Sequence, residues 1–485
     1  MTETGLERLE PQLVWQRFLE LTRIARPSKE EAVARAYVAS RTESRALTST
    51  VDPAGNLVVR VPASPGRERA PVVVLQAHLD MVCERDPESP FDAREGRIHV
   101  DLENGWLVAR GTTLGADNGI GVAAALAAAE DQSLRHGPLE LLFTVSEEQG
   151  LEGAKALDSE LVSGRLLVNL DGGERGITIG CAGSVHTFTR LPLALEESEG
   201  VALEIRVSGA LGGHSGGDIA AGRTNANKAL ARVLASSWAA GEFRLASFAG
   251  GVSRNAIPRE ARATVVVEAE ARGHFEEAAT REFELLREHF RETDPALELS
   301  IVPATRVPSA SEAQTERVLD LLAATPSGVV AMNPRLQGVV ETSTSLTVVT
   351  TEQGVLTLAS MTRSASAEGL EHVVASLQAL ARLSGAEIDV VPSYPPWRPN
   401  LRSRLLAAAE ETYERVVGTK PKLTVVHGGL ECAILGEKLP GVEMISIGAE
   451  IDRPHAPGER VNVASTERFY RLLGALLDDL SRGRE

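Results

Sequence analysis

The chain has 485 residues, 43% hydrophobic and 24% charged, which is core material for two or three domains at ~150 residues each. A formal charge of -17, from 67 acidic and 50 basic residues, argues against nucleic acid or an anionic membrane as partner. Three scattered cysteines, an N-terminus without a basic-then-apolar leader, and no apolar window of ~18 residues predict a cytoplasmic chain that neither carries a signal peptide nor spans a bilayer.

In chain order, Leu13, Val14, Phe18, Leu21 and Ile24 recur at helical spacing, and Ser28 with Glu31 has the spacing of a capping box opening a second helix. PVVVLQ (71–76), LELLFTV (139–145) and LLVNL (166–170) are short apolar runs expected as strands buried on both faces. The Ala-rich stretch 119–130 between them is expected as helix, so strand and helix alternate in α/β layers. From about residue 187 longer amphipathic elements follow, at 202–207, 224–239 and 262–268. A second set at 338–350, 355–361, 367–383 and 387–391 reads as an internal duplication of strand-helix-strand units. After the Pro-rich SYPPWRPN (393–400) come a helix over 401–417, strands over 423–427 and 443–448, and a terminal helix from Ser465. The predicted architecture is α/β: a discontinuous catalytic domain, a mixed sheet flanked by helices, from residues 1–186 and 393–485, with an inserted α+β lid domain over 187–392.

Acidic and histidine residues stand just after the carboxyl ends of the predicted strands, where open α/β sheets place their ligand sites. His78 and Asp80 follow the first run, Glu147 and Glu148 the second, and Asp171 the third; Asp117 lies in the turn GADNG and His455 in RPHAPGE. Singly these are polar histidines, a solvated charge pair, and turn or cap residues. Together they converge on one crevice, and uncompensated carboxylates there need cations. Two imidazoles with three carboxylates and no thiolate suit zinc, cobalt or manganese. A shared carboxylate would hold two ions ~3.5–4 Å apart with water between them, as in two-metal hydrolases. In the Glu147–Glu148 pair one carboxylate can bind metal while its neighbour takes a proton from that water. Asp80, two residues beyond His78, points the same way along an extended segment and can stand behind a liganded imidazole.

HLDMV (78–82), GADNGIG (115–121), SEEQGLEGA (146–154), NLDGG (169–173), GGHSGGDI (212–219) and PHAPGE (454–459), with SRNAIP and VHGGLEC, resemble the co-catalytic zinc peptidase superfamily that includes carboxypeptidase G, peptidase T and aminoacylase. Within it the match is to the aminoacyl-histidine dipeptidases (Xaa-His dipeptidase, peptidase D of bacteria), over nearly the whole chain. The resemblance implies two Zn2+ per subunit, with Co2+ or Mn2+ as alternatives. Asp117 would bridge them, His78 and Asp171 serving one ion and Glu148 and His455 the other. Glu147 would be the general base and later the proton donor to the leaving amine, and Asp80 would orient His78. Asn118, where several superfamily members carry a second Asp, marks the aminoacyl-histidine branch. The resemblance gives His214 the role of a lid histidine that stabilises the oxyanion; a tight glycine turn is the plainer reading. Arg363 above all, with Asn255 and Arg223, is a candidate for the substrate carboxylate. Glu431, in HGGLE, would bind the substrate amino group or simply end a turn.

The implied activity is metal-dependent hydrolysis of small peptides, Xaa-His (carnosine-like) dipeptides and others, by a metal-bridging hydroxide activated by Glu147, in a monomer or homodimer. An N-acyl amino acid deacylase or a broader aminopeptidase of the same superfamily competes with it. A non-catalytic metal-binding protein on this fold is disfavoured, since no purely structural site needs both Glu147 and Asp80.

Overall fold

The structure, a computed structural model, describes residues 6, 8–173 and 176–482. The chain forms two compact units. Met1–Cys181, Trp397–Val425 and Leu430–Glu485 make the first; Ala182–Pro396 and Val426–Gly429 make the second.

The first unit is built on an eight-stranded sheet in the order Thr48–Val51, Leu57–Val61, Leu139–Thr144, Val73–His78, Leu166–Asn169, Glu443–Ser446, Ile177–Cys181, Leu423–Val426. Leu139–Thr144 and Val73–His78 are buried at every position, as apolar strands covered on both faces must be. The middle four strands run parallel, with His78 beside Thr144 and Gln76 beside Asn169, so their carboxyl ends share one edge. The helix Ala116–Glu130 is buried along nearly its whole length, as its alanines allow. Its backbone is non-helical at Asp117 (φ -81°, ψ 110°) and Asn118 (φ -105°, ψ 31°), so regular helix begins at Gly119. A four-stranded antiparallel sheet joins the two ends of the chain, Arg460–Asn462 lying between Ile451–Asp452 and Trp106–Ala109, with Val100–Glu103 outermost.

The expected capping box does not form. The helix Ala32–Glu43 starts without a side-chain cap. Ser28 Oγ instead donates to Asp80 Oδ2 at 2.7 Å, and Glu31 Oε1 accepts from the amides of Lys29 (2.9 Å) and Ser146 (2.8 Å). Buried Asp80 and the Ser146 turn, neither near in sequence, outcompete the local helix end for these two side chains.

The second unit is a nine-stranded antiparallel sheet. Its strands Val201–Ser208, Arg244–Gly250, Ala261–Val267 and Glu298–Pro303 carry the helices Ala226–Ala240 and Arg272–His289. Gly183–Pro192, Val340–Glu352, Val355–Ser364 and Glu387–Tyr394 carry Ala367–Ser384. Fully buried Leu203, Phe248, Val265 and Leu346 close its core, each contributing about 1.5–3 kcal/mol by leaving water. Val426–Gly429, read from sequence as part of the first domain, counts with this unit: Ala182 N donates to Val426 O at 2.8 Å. No helix among the described residues is long and apolar enough to cross a membrane.

Candidate metal centre and substrate groups

In the first unit the parallel strands deliver their terminal residues to one place. His78, the last residue of its strand and 1% exposed, puts Nε2 3.2 Å from Asp117 Oδ1 and 3.8 Å from Asp171 Oδ1. His455 Nε2 lies 3.3 Å from Asp117 Oδ2 and 3.0 Å from Glu148 Oε1. Asp117 therefore turns one oxygen to each histidine, and the five groups divide into His78–Asp117–Asp171 and His455–Asp117–Glu148. His78, Asp117 and Glu148 bring their ligand atoms within 4.8 Å of one another.

The electrostatics of the cluster ask for positive charge. Hydrogen bonds to Asp117 and Glu148 raise the His455 pKa to about 10. Burial would raise Asp117, but the two histidines keep it well below the ordinary carboxylate range. Burial, compounded by neighbouring carboxylates, pushes Glu147 and Asp171 well up. Nitrogen and oxygen donors in two groups sharing one carboxylate, with more acid than the histidines balance, fit two divalent cations.

Asp80 sits behind His78, its Oδ1 3.4 Å from Nδ1. It also accepts the amides of Glu147 (3.0 Å) and Glu148 (3.1 Å), so one buried carboxylate fixes an imidazole and the backbone of the adjacent acid pair. Burial opposes its charge, yet these bonds and Ser28 hold it at about 2. Asn118 Nδ2 donates to Asp171 Oδ1. Glu431 is 1% exposed beneath the site, its Oε2 accepting from Gln76 (2.6 Å) and Thr144 (2.7 Å) while Oε1 has no partner. Burial, with Asp80 nearby, raises it to about 7.

His214, Arg363, Asn255 and Arg223 belong to the second unit. His214 pairs with Ala256 across a short antiparallel ladder, and its Nδ1 accepts from the amides of Gly216 (3.3 Å) and Gly217 (3.0 Å). That bond pattern assigns the proton of the neutral ring to Nε2. Burial, reinforced by Arg363, lowers the His214 pKa and keeps the ring neutral. Arg363 is 2% exposed; Nη1 donates to Tyr394 Oη at 2.9 Å, Nε has no partner, and among the described residues no carboxylate pairs with it. The glycine turn lies directly over it, since a Cβ on Gly216 would meet Arg363 Nε at 3.1 Å and His427 O at 2.0 Å. Asn255 is exposed and holds Ser215 N by its carbonyl at 2.7 Å. The Arg223 guanidinium is engaged within the turn, with Gly212 O (2.7 Å) and Asp218 (3.3 Å).

Sequence reasoning passed over His427, Arg26 and Glu459. His427 Nε2 meets Ser343 Oγ at 2.7 Å while Nδ1 is buried without a partner. Glu459 accepts backbone amides at the turn carrying Asp117, and Arg26 donates to carbonyls on both ligand-bearing loops. Glu459 carried a signal as the acid ending the motif PHAPGE and His427 as the histidine of VHGGLEC, whereas Arg26 carried none.

Residues 74–479 match the family described as Peptidase family M20/M25/M40. The chain is 36% identical over 479 residues to the cytosol non-specific dipeptidase of Escherichia coli, covering 98% of this chain and 99% of that one. It matches the crystal structure of aminoacylhistidine dipeptidase from Vibrio alginolyticus with a TM-score of 0.89 and 35% identity, over 99% of both chains. An aminopeptidase from Bacillus cereus, at 17% identity and a TM-score of 0.57 over 98% of this chain and 100% of that one, shares the fold.

Proposed function

The chain belongs to peptidase family M20/M25/M40, and from that premise we propose that it is a metal-dependent dipeptidase, aminoacyl-histidine dipeptides among its substrates, working with two Zn2+. The observation that carries the reading is Asp117, one oxygen 3.2 Å from His78 and the other 3.3 Å from His455. His78 and Asp171 would hold one ion, His455 and Glu148 the other, with Asp117 shared. Two divalent ions held there would supply an acidified water and a Lewis acid for the scissile carbonyl.

Glu147, raised by burial and its acidic neighbours, takes a proton from the attacking water and returns it to the leaving amine. Its backbone is anchored on Asp80, which leaves the side chain free to swing between the two tasks. Asp80 keeps His78 in the tautomer that presents Nε2. His214, with its proton on Nε2, donates to the oxyanion, and Arg363, buried with its Nε unpartnered, receives the substrate carboxylate. Asn255, whose carbonyl accepts from Ser215 N just outside that ladder, is a further substrate contact, whereas Arg223 acts by bracing the turn. Its burial suits Glu431 to keeping the Glu147 pKa raised through its negative charge better than to meeting a substrate amine directly.

A cytosolic setting is proposed from the E. coli relative, and three free buried cysteines suit a reducing compartment. The proposed assembly is a monomer or homodimer. The test is a panel of β-alanyl-histidine, other dipeptides, a tripeptide and an N-acetyl amino acid on apoenzyme reloaded with zinc, cobalt or manganese. Faster turnover of the N-acetyl amino acid or the tripeptide would replace the dipeptidase reading with deacylase or aminopeptidase. Glu147→Ala is expected to abolish turnover and keep its metal; a variant with wild-type activity refutes the role of Glu147.

A further inference from the structure

The turn 114–117, which delivers Asp117, is gripped by two buried charges of opposite sign. Glu459, 1% exposed, accepts four consecutive amides: Oε2 from Leu114 (2.7 Å) and Gly115 (2.9 Å), Oε1 from Ala116 (2.8 Å) and Asp117 (3.3 Å). Arg26, also 1% exposed, donates Nη2 to Gly115 O, and Nη1 to Leu79 O (2.8 Å) and Asp80 O (3.0 Å). The approach is so close that a Cβ on Gly115, at φ 69°, would stand 2.5 Å from Arg26 Nη2. Glu459 is itself fixed: its carbonyl accepts from Ala109 N at 3.0 Å, and Gly458 N donates to Thr112 O at 3.0 Å.

Burying a carboxylate is costly, and ending a turn does not require one. Four amides aimed at one carboxylate define the path of the backbone, and so the direction in which Asp117 leaves it. Because Glu459 follows His455 by four residues, the segment that brings the second histidine also brings the clamp.

We infer that Glu459, opposed by Arg26, is a positioning residue that holds Asp117 midway between His78 and His455 and thereby sets the affinity of the centre for its ions. The inference rests on the reading of Asp117 and His455 as metal ligands.

Glu459→Gln tests it, since the amide keeps the volume but turns hydrogens toward two of the four backbone donors. Zinc affinity, measured on the apo chain by competition with a chromophoric chelator, is expected to fall about 10–100-fold, as when partners behind a ligand are lost. The visible spectrum of the Co2+-loaded chain should shift, and kcat should fall with KM little changed. Wild-type zinc affinity and cobalt spectrum, with only a lower melting temperature, would overturn the inference. If Glu459→Gln does not fold, Glu459→Asp, charged but one methylene too short to reach both ends of the turn, carries the same readouts, and wild-type values there overturn it equally. Asp117→Ala separates the two levels: if it binds zinc like the wild type, the reading of the ligands fails, whereas zinc lost in Asp117→Ala and retained in Glu459→Gln sinks the clamp alone.

Discussion

Replacing Arg363 by Met removes a buried cation while keeping most of its volume, and separates charge recognition from packing. The wild-type guanidinium spends one nitrogen on Tyr394 and has no carboxylate partner among the described residues, so it has donors left for a ligand. A hydrogen bond to a charged group contributes about 1.5–3 kcal/mol, and a fork of two, which do not add fully, about 3 kcal/mol. At 1.4 kcal/mol per factor of ten, that is about 150-fold in kcat/KM. The assay compares a free dipeptide with its C-terminal amide on both proteins. The wild type is expected to prefer the acid by about 100-fold, and Arg363→Met to lose that preference, with the amide barely affected. A wild type indifferent to amidation, or a variant that loses both substrates equally, refutes the assignment. The melting temperature is followed alongside, since the Tyr394 hydroxyl is left without its donor.

Two other expectations test the surroundings. Burial, with Arg363 and His214 beside it, lowers His427 from 6.5 to about 4. The unfolded chain therefore takes up this proton first, so stability that is complete above pH 6.5 is lost as pH falls toward 4, by about 1–2 kcal/mol given partial exposure. Urea unfolding at pH 7 and pH 5 should show a smaller difference in His427→Gln than in the wild type, and an unchanged difference counts against it. At Gly121 an added Cβ would lie 1.8 Å from Asn118 Oδ1 and 2.8 Å from Leu170 O. Gly121→Ala should cost about 2–3 kcal/mol by overpacking and loosen Asp171 through Asn118, lowering both melting temperature and bound metal. Wild-type values of both would show that the helix yields without moving Asn118.

The parallel strands were legible because burial on both faces favours a nearly continuous apolar run, which PVVVLQ and LELLFTV display apart from Gln76, Glu140 and Thr144. Where His78, Glu148 and Asp171 meet followed from a rule about strand ends, and the Ala-rich helix from composition. What escaped depends on partners remote in sequence. Ser28 and Glu31 carry the letters of a helix cap, yet they serve Asp80 and Ser146 more than a hundred residues away in the latter case. Nothing local marks Arg26, whose role lies in its bonds to the remote carbonyls of Leu79 and Gly115. Ile177–Cys181 and Gly183–Pro192 are consecutive strands of different sheets, a division that no local pattern announces.

The strand Glu443–Ser446 is not an edge strand; it fills the place between Leu166–Asn169 and Ile177–Cys181. During synthesis, therefore, that gap can close only after Ser446 has left the ribosome, and His455 and Glu459 emerge later still. A polypeptide cut short before this strand lacks both an interior strand of its sheet and His455, one of the two histidines flanking Asp117.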